Sequence, residues 1–212
     1  MKRIFSIVAL SLALLPLTGV ARTIGDFFAS EPGNIFPLLT RTHRLDMMDY
    51  YNSGQMVSVS NNLTGESQLL VMDSTYLKVQ TSGSREVEMS MRTVGKDTVI
   101  TVIETVKTPV PDSRLSQWNS HWQRYTSDRL FAMPSMDDFI VGKMPRDLRA
   151  DLQDAMIFPL VRLAFKGDKH DTIEATHGLE QFLVPSDYKR FEPYLRPSIN
   201  FGFKGLKIKR VK

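Results

Sequence analysis

Apolar residues fill the first stretch of the chain almost without interruption, from Ile4 to Leu17, behind a positive start at Lys2 and Arg3. Pro16 and Gly19 break any helix there, and Gly19-Val20-Ala21 supplies the small residues of a cleavage site. The run is too short for a ~30 Å hydrocarbon core, which needs about twenty residues. Residues 1–21 therefore read as a secretory signal peptide, with cleavage near Ala21 and a mature chain from Arg22. Beyond it the period becomes helical. Thr23 and Asp26 form a capping-box pattern ahead of Phe27 and Phe28, Pro37 interrupts, and Leu45 and Met48 lead to a stop at Gly54. The region 23–53 predicts two helices or one broken helix.

From Gln55 the period drops to two. Val57 and Val59 alternate with Ser58 and Ser60, and Asn61 to Gly65 makes a turn. Leu69, Val71 and the stretch from Tyr76 to Val79 continue the pattern. Val87, Met89 and Met91 occupy one face of a strand, with Glu86, Glu88, Ser90 and Arg92 on the other. Thr98 to Val106 is β-branched almost throughout, as suits a packed strand. A hairpin is expected around Asn119-Ser120, completing an antiparallel meander.

The pattern then restarts. Ser135 and Asp138 open a helical stretch in which Leu148, Leu152 and Met156 recur every four residues. Strands are expected at Phe158–Phe165 and Thr172–His177, and Ser186 is placed to cap a short helix. The chain closes on Ile199, Phe201 and Phe203 in one parity and Leu206 and Ile208 in the other. That parity flip at Lys204-Gly205 suggests a β-bulge. Asp97-Thr98-Val99 and Asp171-Thr172-Ile173 each precede a Val-Pro pair, at Val110-Pro111 and Val184-Pro185, at the same spacing. Two readings are open: sub-repeats 22–133 and 134–212, or a chance recurrence of common signals. The fold class expected is α+β, a single domain over 22–212 with helical segments packed on an antiparallel β-meander.

Composition narrows the chemistry. Cysteine is absent, which excludes disulfides, thiolate metal sites and a lipoprotein anchor. Without Lys2 and Arg3 the chain has 25 basic and 23 acidic residues, and five of the basic ones crowd the last nine positions. Lys204, Lys207, Lys209, Arg210 and Lys212 thus form a candidate anion-binding patch on an otherwise mildly acidic chain. Their alternation with Leu206 and Ile208 also fits the solvated face of a terminal strand. A local patch of this kind does not define a nucleic-acid-binding protein, and no second apolar run reaches membrane-spanning length.

The sequence carries no G-x-S-x-G elbow, no H-E-x-x-H, no phosphate-cradling glycine loop and no EF-hand spacing. His43, His121, His170 and His177 are scattered, and Asp46 and Asp49 read as a solvated stripe. Trp118, Trp122 and Tyr125 offer either an aromatic platform or ordinary hairpin packing. No catalytic, cofactor-binding or metal-binding residue is assigned, and no cofactor is expected.

One resemblance emerges from several segments together. Thr23-Ile24-Gly25-Asp26-Phe27-Phe28, Phe36-Pro37-Leu38-Leu39-Thr40, and Arg44 to Tyr51 resemble a family of exported Bacteroidetes proteins, the domain-of-unknown-function family 3256. Pro109 to Arg114, and Leu130-Phe131 through Phe139, resemble its middle section. The resemblance implies location and single-family architecture and carries no site residues. It also implies O-glycosylation at Asp-Ser/Thr tripeptides, for which Ser74 in Asp73-Ser74-Thr75 is the best-placed candidate. The function expected is a non-catalytic binding or interaction module of the envelope, periplasmic or at the cell surface, whose partner is an anionic envelope component or another protein. The alternative is a periplasmic hydrolase with dispersed active-site residues.

Overall fold

In a computed structural model of the protein, residues 22–55, 57–155 and 160–211 are described. The segment read from the sequence as a signal peptide, Met156 and Lys212 lie outside them. Helices α1 (Ile24–Ser30) and α2 (Arg41–Asn52) precede a sheet of six strands in sequential order: β1 (Val59–Ser60), β2 (Glu66–Met72), β3 (Tyr76–Ser82), β4 (Arg85–Val94), β5 (Asp97–Val106) and β6 (Asp112–Asn119). Helices α3 (Met136–Phe139) and α4 (Arg146–Ala155) follow. Then come β7 (Val161–Lys166), β8 (Thr172–His177), α5 (Leu179–Phe182), α6 (Pro185–Phe191), β9 (Ser198–Lys204) and β10 (Lys207–Arg210). The last four strands form a second antiparallel sheet in the order β10-β9-β8-β7.

Local chemistry starts the helices. The Thr23 hydroxyl accepts from the Asp26 amide while the Asp26 carboxylate accepts from the Thr23 amide at 2.7 Å. These bonds hold the Asp26 carboxyl below its ordinary pKa. Thr40 and His43 repeat the reciprocal cap on α2. Between the helices a buried ion pair organises the chain. The Glu31 carboxylate accepts from the amides of Gly33, Asn34 and Ile35 at 2.7 to 2.9 Å, and Arg44 stands 3.5 Å from it. The Arg44 guanidinium also donates to the carbonyls of Leu39 and Glu31. The buried stripe of α2 is Arg44 and Met47, flanked by Met48 and Tyr51, so the Leu45/Met48 stripe expected from spacing is rotated by a residue. Asp46 and Asp49 face solvent.

The helices cover one face of the six-stranded sheet, where Phe27, Phe28, Ile35 and Phe36 meet Leu77, Val79, Val87, Met89, Ile100 and Val102. Leu69 joins them, but Val71 does not: a bulge between Leu69 and Val71 swings Met72 inward and leaves Val71 exposed. The opposite face, bearing Glu88, Ser90, Thr101 and Gln117, is also buried, because the second sheet lies on it. The inner face of that sheet supplies Val161, Leu163, Phe165, Ile173, Ala175, Ile199, Phe201 and Ile208, which close around Tyr76 and Ile103. A third small cluster, Leu152, Leu179 and Phe191, ties α4, α5 and α6 together.

Two expectations are corrected. Segments 97–113 and 171–187 both begin as a strand, but the first bends at 108–110 and enters strand β6 while the second turns into α5 and α6. Val184 precedes Pro185 at the first turn of a helix, a position where proline's missing N–H costs nothing. Val110 instead packs against Gly178, where an added Cβ would lie 2.2 Å from it. The proposed equivalence of these segments therefore fails. At Lys204-Gly205 there is no bulge. A two-residue turn, Gly205-Leu206, pairs Lys204 with Lys207 and Phe203 with Ile208, and Gly205 adopts φ +60°. A hairpin reverses parity by turning the chain over.

Arg44→Met should destabilise the protein by about 3–5 kcal/mol, since it leaves Glu31 buried without its cation. Asp46→Ala on the exposed side of the same helix should change stability by less than about 0.5 kcal/mol. Urea unfolding of both variants measures the contrast.

Candidate functional site

The second sheet decides what the molecule presents. Its edge strand β7 lies across the polar face of the first sheet, and the N–H groups on its free side meet side chains there. Val161 donates to Asp112 Oδ1 at 3.3 Å, Leu163 to Ser113 Oγ at 2.9 Å and Phe165 to Glu88 Oε2 at 3.3 Å. These alternate residues are the donors that an edge strand leaves unpaired. Glu88 is only 3% exposed, and the Tyr76 hydroxyl also donates to it at 2.8 Å. Burial raises its carboxyl pKa, opposed by those bonds and by Lys78. Burial, with the Glu88 charge beside it, drives the Tyr76 hydroxyl pKa far upward. The His170 ring stacks on Tyr76 at 3.6 Å, and His170 Nδ1 stands 3.7 Å from Asp73 Oδ2. Sequence reading placed Glu88 on a polar face without assigning it a partner. The missing signal was three-dimensional, because its partner is a backbone amide 77 residues away.

A second clamp holds the C-terminal hairpin. Arg92 reaches from β4 to donate to the Gly205 carbonyl at 2.9 Å, with its guanidinium 4.2 Å over the Phe203 ring. With its amide nitrogen turned to the Leu206 carbonyl, Gln117 donates there at 2.9 Å and accepts from Arg92 at 2.9 Å. Desolvation brings the Arg92 pKa down to about 10, so it remains charged at neutral pH.

With the turn gripped from inside, its lysines point out. Lys204, Lys207 and Lys209 are exposed and share the outer face of the second sheet. Arg162 and Lys166 of β7 lie on that same face by strand register, and both are exposed. Glu174, paired with Lys166 at 3.1 Å, is the carboxylate among them. The space between is filled by short side chains: Ala164, Thr172, Thr176, Ser198, Asn200 and Gly202. Sequence reading found the tail and missed Arg162 and Lys166, because register across four strands joins them. Arg210 has the opposite parity. It lies beside a cavity of about 270 Å³ between β9–β10 and residues 132–138, floored by Ile199, Phe201 and Ile208.

The remaining candidates fall elsewhere. Ser74 is exposed in the β2–β3 turn, and its carbonyl accepts from the Ile24 amide at 3.0 Å. Asp73 next to it accepts from the amides of Thr75 and Tyr76. Trp118 and Trp122 pack edge to face at 6.1 Å and join the helix-side core, with Trp122 against Phe27. Gln117 and Tyr125 close the reverse turn beside them. His43 caps α2, and His177 meets Phe139 edge-on at 5.2 Å. No group of three or more metal-ligating side chains occurs among the described residues. None of the described helices is long and apolar enough to cross a membrane.

Fold and surface together define an α+β protein of two antiparallel sheets with one helix-covered face and one exposed cationic face. Residues 17–208 match the model for proteins of unknown function termed DUF3256, and the chain belongs to that family. A solved domain of an uncharacterised protein from Porphyromonas gingivalis W83 has the same fold, with a TM-score of 0.77 at 20% identity over 91% of this chain and 99% of that one. No curated protein matches.

The raised Glu88 pKa predicts a pH effect. Between the ordinary glutamate pKa of 4.5 and the raised one, the folded state holds more protons than the unfolded state. This group's contribution is therefore greatest below 4.5 and declines as pH rises through that window, by at most about 1.4 kcal/mol per pH unit. Glu88→Gln should flatten the decline. Burial lowers the His177 pKa and tilts stability the other way, but that tilt is common to both proteins. The difference between their urea-unfolding free energies across pH isolates Glu88.

Proposed function

We propose that this chain is an exported envelope protein that works by binding rather than catalysis. Its anionic partner docks on the outer face of the second sheet. The observation that carries the reading is the set of exposed cations there, Arg162, Lys166, Lys204, Lys207 and Lys209, around small polar residues, with Glu174 the acid among them. A low, flat, positively charged surface favours an extended anionic component of the envelope. Export is supported by the charged, apolar and small-residue succession at the N-terminus. In the envelope, Ser74 in its exposed turn is available for O-glycosylation.

The hydrolase alternative draws on Tyr76, Glu88, His170 and Asp73, which gather at the junction of the two sheets. Glu88 is sealed there and already serves the Phe165 amide and the Tyr76 hydroxyl. That use of Glu88 supports the binding reading.

Replacing Arg162, Lys204, Lys207 and Lys209 with Gln should lower retention on heparin and on anionic vesicles while leaving urea stability nearly unchanged, since exposed charges contribute little to folding. Wild-type retention should fall steeply as salt rises, because exposed charges are screened over ~8 Å at physiological ionic strength. Equal retention of variant and wild type at low salt would show that the patch is only a solvated strand face. N-terminal sequencing of protein from the envelope fraction should begin at Arg22; intact chain confined to the cytoplasm would refute export.

A further inference from the structure

The cavity beside the hairpin has the composition of an amphiphile site. Its floor is Ile199, Phe201 and Ile208, and Met133 walls it, 39% exposed. Arg210 stands at its rim with a single carboxylate, Asp138, while Lys209 belongs to the opposite face of β10. Asp138 is largely committed elsewhere: its Oδ2 accepts from the Ser135 amide at 2.8 Å and hydroxyl at 2.9 Å. Its Oδ1 lies 4.0 Å from Arg210 Nη1, beyond hydrogen-bond reach. Arg210 is thus held to Asp138 by charge alone, and its fork can still donate to a carboxylate, the planar group it matches best.

We propose that this groove binds a single-chain fatty acid, its alkyl chain on the Ile199–Phe201–Ile208 floor and its carboxylate on Arg210. The inference rests on the reading of this protein as a binder of anionic envelope components, and it names the chemical class received at the edge of the cationic face. Size and charge set the choice. At about 270 Å³ the cavity lies just below the usual ~300–1,000 Å³ of ligand sites, which suits one alkyl chain and is too small for a two-chain lipid. Asp138 beside Arg210 disfavours a doubly charged head and leaves a monoanion as the fitting one. Lys204 and Lys207 on the adjoining turn draw anions toward the mouth.

Isothermal titration of the full mature chain with hexanoate, octanoate and decanoate, each below its micelle concentration, tests this directly. Affinity should tighten about fourfold per methylene until the groove is filled. Arg210→Gln should weaken all three by a similar factor. Ala132→Phe and Met133→Trp, on the exposed wall, should abolish the dependence on chain length and leave heparin retention intact. Heparin retention without alkanoate binding, or with binding indifferent to chain length or to both wall variants, overturns the fatty-acid site and leaves the docking face standing. Loss of heparin retention by wild type at low salt overturns the docking face itself, whatever the alkanoates do.

Discussion

Strand β7 ends its sheet, so every second amide along it points away from any strand partner, and all of these amides enter a buried seam. An unsatisfied buried donor costs roughly 1–3 kcal/mol, and three in a row would make the packing of one sheet on the other untenable. Asp112, Ser113 and Glu88 remove that cost by offering side-chain oxygens at the spacing of alternate residues. The polar face of the first sheet is thus a receptor for a strand edge. That explains how Glu88, Ser90, Thr101 and Gln117 come to lie buried between two apolar layers.

The two faces of the first sheet consequently do different work. The helix side is held by volume: Phe28 and Phe36 stack edge to face at 4.9 Å, and the aliphatic residues of the central strands fill the remainder. The seam side combines apolar contact around Tyr76 and Ile103 with a small number of directed bonds. Directed bonds specify position more tightly than apolar contact does, so they fix where the second sheet sits. Arg92 and Gln117 extend the same logic to the β9–β10 turn.

That placement shapes the exposed chemistry. Since Phe203 and Ile208 are drawn inward and the turn is gripped at Gly205 and Leu206, the alternating lysines of the hairpin have no direction but outward. Arg162 and Lys166 join them through strand register. The cationic face is the reverse side of a buried interface, and the groove beside Arg210 opens where that interface meets residues 132–138.

Much of this was legible along the chain, because it depends on neighbours in sequence. The reciprocal cap of Thr23 and Asp26, the switch from helical to alternating periods near residue 55, and strand β8 over Thr172–His177 all follow from local spacing. The basic tail was equally plain. What sequence could not settle was the use of each polar face, since alternation shows that two faces differ and says nothing of what covers the second. Glu88 resembles a solvated residue until a strand 77 positions later brings its Phe165 amide against it. The same limit misread the turn at Gly205, where hairpin and bulge both flip parity and only pairing distinguishes them. It also made Val110-Pro111 and Val184-Pro185 look alike, though one leads into a strand and the other starts a helix. Local spacing along the chain sufficed for most of the elements and for the charge of the tail. Tertiary structure decided which polar residues were buried and which cations came together, because both depend on bonds and registers between segments far apart in the chain.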